Sequence, residues 1–327
     1  MDGDLKGLSR DQERRLRLRL HLTDEPLQTV TSGWHKVVVL ADERAFAFPR
    51  GGDRVAMLQR EAAVLSTVKL PLAPEFLGLH HDERIWPYPF LEITRLPGRS
   101  WDTIDTVEAA LHFEEVARCL ETLARLSARW HQIAIPSLLA KRPSHLGGGM
   151  DEPASGHPRL NDRWTGPGGA SAIAHRAATI LSGHMETIEP DVWAEELAPV
   201  LSMDHVTVHG ELSDGQFLLD NELRVTGVVD WDGLHHGHPL LDLDSGVGLY
   251  RLHYERHRYT ELRHRIWYSY ARERGVALPT WQQVNLLWCL LDTMALAHHQ
   301  DHELWPTVLA ELTRVTNALH EPDDADR

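Results

Sequence analysis

His209-Gly210-Glu211-Leu212-Ser213-Asp214-Gly215-Gln216-Phe217-Leu218-Leu219-Asp220, followed by Val228-Val229-Asp230-Trp231-Asp232, is the stretch on which the reading of this chain turns. It sets a carboxylate, a side-chain amide and a second carboxylate along a loop–strand–turn–strand segment. The apolar runs Phe217 to Leu219 and Val225 to Val229 flank Asp220-Asn221-Glu222, which reads as a hairpin with its turn. Such a hairpin holds the preceding loop and Asp230 at one end of a small sheet. Phosphoryl transfer from a metal–nucleotide needs a group that receives or orients the acceptor hydroxyl, and oxygen ligands for Mg²⁺. Glu211, Gln216 and Asp230 offer those groups.

The whole chain sets bounds on that chemistry. Its 327 residues suit one large bilobal domain or two smaller ones, with a substantial core. Apolar content of 42% and charged content of 25% are those of an ordinary globule. A net charge of −15 argues against nucleic acid or an anionic membrane as the main partner, because both are polyanions, and leans toward cationic or neutral ligands. Cys119 and Cys289 lie in helix-like apolar surroundings, so buried reduced thiols are expected, not a disulfide or metal site. Met1 to Leu20 is charged without an uninterrupted apolar core, unlike a signal peptide. Within it, Arg14-Arg15-Leu16-Arg17-Leu18-Arg19-Leu20 reads as an amphipathic element packing its leucines on the first lobe; an anion site is the other reading. No apolar run approaches a membrane span, and a cytoplasmic protein is expected.

Residues 27–96 read as strands with one helix. Val37-Val38-Val39-Leu40 and Ala45-Phe46-Ala47-Phe48 flank the turn Ala41-Asp42-Glu43-Arg44, and Phe90-Leu91-Glu92-Ile93-Thr94 is a further strand. Val55 to Leu70 is helical in pattern, with Met57, Leu58, Ala62 and Leu65 on one face. Ala110, Phe113, Val116, Ala117, Leu120, Leu123, Ala124 and Trp130 form a long apolar stripe at three- and four-residue steps. Helices are also expected over Trp281 to His302 and Leu304 to Leu319. Pro136 to Gly169, rich in Gly and Pro, reads as a long surface excursion.

The quoted string resembles that of the aminoglycoside phosphotransferase family, relatives of protein kinases, whose pattern is H-G-D-x-x-x-x-N followed by a strand ending in D. Further elements resemble the family's in the family's order. Ser32-Gly33-Trp34-His35-Lys36-Val37 sits where such enzymes place the loop over the nucleotide phosphates. Arg60-Glu61 matches the R-E whose Glu pairs with a strand cation, and Pro89 to Gly98 matches the hinge strand. Leu126-Ser127-Ala128-Arg129-Trp130-His131 resembles the R-L-H helix end. Gly227 to Asp232 and Gly237 to Leu243 resemble the G-V-I-D-W and G-D-P-x-x-D-L elements. The resemblance implies a bilobal protein-kinase-like fold of the α+β class. Residues 1–96 would form the small strand-rich nucleotide lobe, and 97–327 the larger helical lobe with an embedded β-hairpin. It further implies ATP or GTP as donor, Mg²⁺ as cofactor, and a small-molecule hydroxyl, antibiotic or sugar-like, as acceptor. By the same resemblance Glu211 orients the acceptor and Gln216 and Asp230 hold the metal. Ser32, Gly33, Lys36, Arg50, Glu61, Glu92 and Thr94 fall on the nucleotide side, and Asp214, Asp232 and His235 near the acceptor. Asp242 braces the catalytic loop.

Three departures fall on functional positions. Glu211 stands for the family's Asp, and Gln216 for its Asn, as in maltokinase-like relatives. The strand Phe46-Ala47-Phe48-Pro49-Arg50 aligns with an Arg/Lys-x-Pro-Arg ending, which puts Ala47 where a phosphate-binding cation belongs and leaves Arg50 or Lys36 to supply the charge. The reading is therefore a nucleotide- and Mg²⁺-dependent small-molecule kinase. A ligand-binding pseudokinase and a metabolic sugar, amino-sugar or choline-like kinase are the alternatives. His298 and His302 share a helical face at metal-ligand spacing, but without a third ligand a polar face is expected. His235, His236 and His238 either line the acceptor pocket or stand exposed. Trp164, Trp193, Trp231 and Trp267 are expected in the core. The acceptor is expected between the loop Asp232 to His238 and the excursion Pro136 to Gly169.

Overall fold

Continuous apolar runs build the first sheet, and the computed structural model shows what each face meets. The structure describes residues 7–22, 26–31, 33, 35–101, 112–146, 165, 168–185, 189–212, 215–243, 256–299 and 305–319. Along the chain, α1 (Arg10–Leu20) precedes β1 (Gln28–Val30), β2 (Lys36–Ala41), β3 (Arg44–Pro49), α2 (Val55–Thr67), β4 (Phe76–His80), β5 (Phe90–Thr94) and β6 (Arg99–Ser100). Then follow α3 (Phe113–Trp130), α4 (Gly169–Leu181), α5 (Pro190–Leu201), β7 (Val206–Val208), β8 (Phe217–Leu219), β9 (Val225–Val228) and β10 (His235–Gly237). The last helices are α6 (Arg256–Arg274), α7 (Trp281–His299) and α8 (Trp305–Leu319). The fold is mixed α+β.

The chain divides into two compact units, Met1–Thr103 with Asp214–Leu234, and Ile104–Ser213 with His235–Arg327. The first segment thus runs past the expected boundary at residue 96. The hairpin, expected in the second lobe, groups with the first unit.

In the first unit an antiparallel five-stranded sheet has the order β1-β2-β3-β5-β4. Asp42-Glu43 connects β2 to β3, with Asp42 in the left-handed region at φ 46°. Aspartate tolerates that conformation better than most residues. One face carries Val37, Val39, Phe46, Phe48 and Phe90, packed with Leu16 of α1, Ile85 and Trp86. The other carries Ala45, Ala47, Leu91 and Ile93 against Leu58 and Ala62 of α2. Helix α1 starts with a capping box between Ser9 and Gln12 and buries Leu16 while Leu18 is exposed. Its leucine packing accords with the amphipathic reading, and burial of a leucine contributes roughly 1.5–3 kcal/mol.

Strands β6, β8 and β9 form a second sheet in the order β6-β8-β9. Gly98, at φ 109°, makes the approach possible: a Cβ there would lie 2.6 Å from the Leu219 carbonyl oxygen and the Thr226 hydroxyl. Trp101 packs on Phe217 beneath the hairpin.

Among the described residues the regular structure of the second unit is helical apart from the antiparallel pair β7–β10. The expected stripe is buried on α3 from Phe113 and Val116 through Leu123 to Trp130, its first member Ala110 lying outside the described residues, and α3 packs against α6. Helix α7 packs against α4, α5, α6 and α8. Pro190, at the start of α5, has no N–H to lose and a φ suited to a first turn. Trp193, Trp231 and Trp267 are buried, as expected, and Trp164 lies outside the described residues. So do 147–164 and 166–167 of the excursion, His302, and the side chains of His298 and His299. Among the described residues no His, Cys, Asp or Glu cluster could hold a metal ion by itself, and no helix is long and apolar enough to cross a membrane.

Candidate functional site

Asp230 owes its position to the end of the hairpin. Phe217 pairs with Val228, and one step further the Val229 N–H donates to the Gln216 carbonyl at 2.8 Å. The backbone thus brings Gln216 level with the residue before Asp230. The chain then turns sharply: Asp230 has φ 69° and ψ 53° and precedes a single helical turn, Trp231–Gly233. Left-handed backbone at a non-glycine residue costs of order 1–3 kcal/mol and collects at functional sites, where surrounding contacts hold it. The contacts here are the Trp231 indole, which donates to the Val228 carbonyl at 2.9 Å, and Arg60. The Arg60 guanidinium donates to the carbonyls of Asp232 at 2.9 Å and Leu234 at 2.7 Å.

Against Asp230 stands Lys36, the first residue of β2. Its ammonium donates to Glu61 Oε2 of α2 at 2.6 Å and to Asp230 Oδ1. The cluster is largely shielded, with side-chain exposures of 14% for Lys36, 4% for Glu61 and 29% for Asp230. Burial alone would lower the Lys36 pKa. The charges of Asp230, Glu61 and Asp232 outweigh it and hold the ammonium well above its ordinary value.

The other nucleotide-side expectations fall differently. Arg50 Nε donates to the Gly33 carbonyl at 2.9 Å, its Nη2 to the Thr31 carbonyl, and its backbone N–H to the His35 carbonyl at 3.0 Å. Arg50 therefore ties down the loop before β2. Glu92 sets one carboxylate oxygen on Arg44 at 3.0 Å and the other on His80 at 2.6 Å. The Thr94 hydroxyl accepts the Glu75 N–H at 2.8 Å. Both side chains serve the sheet. Ser32 and Asp214 lie outside the described residues.

In the second unit the loop after β7 is built on Asp242. Its Oδ2 accepts the Trp130 indole N–H at 2.7 Å, the His209 backbone N–H at 2.8 Å and His131 Nε2 at 3.1 Å, while Oδ1 accepts the Gly210 N–H at 3.0 Å. His131 Nδ1 lies 2.9 Å from the Tyr270 hydroxyl. A neutral His131, donating from Nε2 and accepting the tyrosine proton at Nδ1, satisfies every group. Burial lowers the His131 pKa, in keeping with that state. Burial also pushes the Asp242 carboxyl up, but the His131 hydrogen bond, with the Gly210 N–H, holds it below its ordinary value. Gly210, at φ 85°, turns the chain immediately before the half-buried Glu211. The roles of His131 and Tyr270 are not evident from sequence, although His131 ends the R-L-H-like element.

Asp232 and His235 are each 1% exposed. His238 is also inside, its Nε2 donating to the Val200 carbonyl at 2.8 Å and its Nδ1 accepting the Leu240 N–H. Only His236 of the three histidines is exposed. Asp230 and Gln216 are hard oxygen donors at adjacent backbone levels, a donor set that fits Mg²⁺.

The model of the family described as the phosphotransferase enzyme family matches residues 26–287. No curated protein matches the chain by sequence. Among solved structures, the ADP-bound aminoglycoside phosphotransferase APH(2'')-Ib aligns over 94% of this chain and 97% of its own, at 14% identity and a TM-score of 0.50. A macrolide 2'-phosphotransferase type I aligns over 93% and 95%, at 17% identity and a TM-score of 0.47. A choline/ethanolamine kinase family protein from Mesorhizobium loti aligns over 96% and 97%, at 15% identity and a TM-score of 0.42. The first of these likenesses supports the kinase-like fold and nothing finer.

Proposed function

The chain belongs to the phosphotransferase enzyme family, and we propose that it transfers the terminal phosphoryl group of ATP or GTP to a hydroxyl of a small molecule. The observation that carries this reading is the shielded cluster of Lys36, Glu61 and Asp230 at the end of the hairpin. A buried ammonium between two carboxylates is costly to maintain for stability alone, and perturbed ionisable clusters of this kind are found at functional sites.

Glu211 is assigned the acceptor. Its carboxylate accepts the proton of the acceptor hydroxyl as that oxygen bonds to the γ-phosphorus and the bond to the leaving nucleoside diphosphate breaks. The transition state of such transfers is loose, so the base has modest work and the extra methylene of glutamate is tolerated. Gln216 and Asp230 would hold Mg²⁺, which when bound neutralises charge on the phosphate oxygens. Gly33 and its neighbours cover the phosphates, with Arg50 fixing the loop and Glu61 fixing Lys36. Asp232 is the carboxylate next along from Asp230, on the turn that Arg60 holds.

An antibiotic or sugar-like acceptor, with resistance or self-protection as the biological role and the cytoplasm as the location, completes the reading. The net charge of −15 favours a cationic acceptor. A metabolic kinase for a choline-like or amino-sugar acceptor differs from it only in the substrate. Ala47 favours a pseudokinase, because the family's cation is missing from β3; the charge of Lys36 opposes it.

Thermal shift with ATP and GTP, with and without Mg²⁺, tests the metal–nucleotide assignment. Stabilisation should require both and disappear in Asp230→Ala; a response independent of metal, or one that survives the substitution, would sink it. Labelled nucleotide with a mixed acceptor library then separates the kinase from the pseudokinase.

A further inference from the structure

Ala47 lies on the β3 face that packs against α2, 4% exposed and in contact with the cluster of Leu58 and Ala62. Val38 is its cross-strand partner, and Lys36 pairs with Pro49. Lys36 is therefore the diagonal neighbour of Ala47 on the same face of the sheet. Diagonal neighbours in an antiparallel pair stand roughly 7–8 Å apart, a gap that a four-carbon stem spans. Glu61 follows Leu58 by three residues and so lies on the side of α2 that meets this face of the sheet, which brings one carboxylate toward an ammonium carried on either strand. The methyl group at 47 leaves the approach to Glu61 to the neighbouring strand.

We infer that Lys36 is the phosphate-binding cation of this chain, carried on the second strand instead of the third, and that it occupies the Asp230 carboxylate until a metal–nucleotide complex displaces it. The inference rests on the phosphotransferase reading and deepens it.

The second half follows from Lys36 touching two acids at once. Glu61 is 4% exposed in its side chain and holds the ammonium at 2.6 Å, so Lys36 stays tethered in any exchange. Asp230 is the more open partner at 29%, and it is the carboxylate that a divalent cation would need. Metal alone must compete with a tethered ammonium for Asp230. A metal–nucleotide brings its own phosphate oxygens, which offer the displaced ammonium a new anionic partner. Lys36 therefore opposes binding of bare Mg²⁺ and assists binding of Mg²⁺–nucleotide. A lysine that served stability alone would not act in opposite directions on the two ligands.

Isothermal titration of the full chain with Mg²⁺ alone, and with nucleotide at saturating Mg²⁺, tests this on wild type, Lys36→Met and Lys36→Arg. Circular dichroism verifies the fold of each. Lys36→Met should bind bare Mg²⁺ several-fold more tightly and Mg²⁺–nucleotide on the order of tenfold more weakly, because a desolvated phosphate site loses its cation. Lys36→Arg should stay near wild type on both ligands. If Lys36→Met fails to fold, the exchange Lys36→Met with Ala47→Lys, which returns one ammonium to the same face, decides the matter. Nucleotide affinity near that of wild type supports the inference, and a folded but non-binding exchange overturns it. Unchanged affinity of Lys36→Met for nucleotide, or no gain for bare Mg²⁺, would also overturn it. Wild type that binds no nucleotide would instead refute the proposed function, and the bare-metal titration would still decide whether Lys36 guards Asp230.

Discussion

Replacing Asp242 by asparagine tests whether the loop His209-Gly210-Glu211 is held by one buried carboxylate. In wild type that group accepts four hydrogen bonds from the described residues, three at Oδ2 and one at Oδ1. An asparagine with its carbonyl in the Oδ2 place keeps three of them and sets an NH₂ against the Gly210 N–H. The charge-assisted bond to Gly210 is lost outright, at about 1.5–3 kcal/mol, and each of the other three weakens by about 1 kcal/mol on losing the charge. Removing a buried charge returns part of this, since desolvation of a carboxylate costs several kcal/mol. We expect a net loss of about 3 kcal/mol in urea unfolding followed by tryptophan fluorescence. The wild-type contribution also has a definite pH dependence. The folded-state pKa of Asp242 is depressed, so the stabilisation is complete above the ordinary carboxylate value of about 3.9 and is lost as pH falls through the lower folded value. Asp242→Asn should flatten that acid limb. A variant within about 1 kcal/mol of wild type, with an unchanged acid limb, would show that the four donors find other partners and that the brace is dispensable.

Glu211→Gln keeps the size of the side chain and removes its charge. Turnover should fall by roughly 10²–10⁴-fold while nucleotide affinity measured by titration changes little, and near-normal turnover would move the acceptor role to Asp214. Glu211→Asp asks whether the longer side chain limits the rate; higher turnover in that variant would say that it does. Burial pushes the thiols of Cys119 and Cys289 above their ordinary pKa, so both should be inert to a disulfide reagent in the native protein at pH 8 and react only on unfolding. Rapid native-state labelling of either would contradict their placement in the core.

Local pattern was enough for the strands β2, β3 and β5, the hairpin β8–β9, and the helices α2, α3, α7 and α8. The strands are apolar runs beside turn residues and the helices repeat apolar residues at three- and four-residue steps, and either signal lies within a short window of chain. Strands β1 and β7 hold at most two apolar residues each, Gly78 interrupts β4, and His235-His236-Gly237 has no apolar side chain, so none of them stands out as an apolar run. Motif order likewise marked Asp230, Gln216, Glu61 and Asp242 for attention. Sequence left open whether Lys36 or Arg50 supplies the cation, because the answer depends on strand register and on partners 25 and 194 residues away from Lys36. Tertiary structure sets Lys36 against Glu61 and Asp230 and sends Arg50 to the carbonyls of its own loop. It also commits Glu92 to Arg44 and His80, encloses His235, and sets Tyr270 on His131 across 139 residues of sequence. Backbone periodicity is a property of neighbours along the chain. The direction of a charged side chain is decided by whichever opposite charge or carbonyl the fold brings within about 3 Å, and that was outside the reach of the sequence alone.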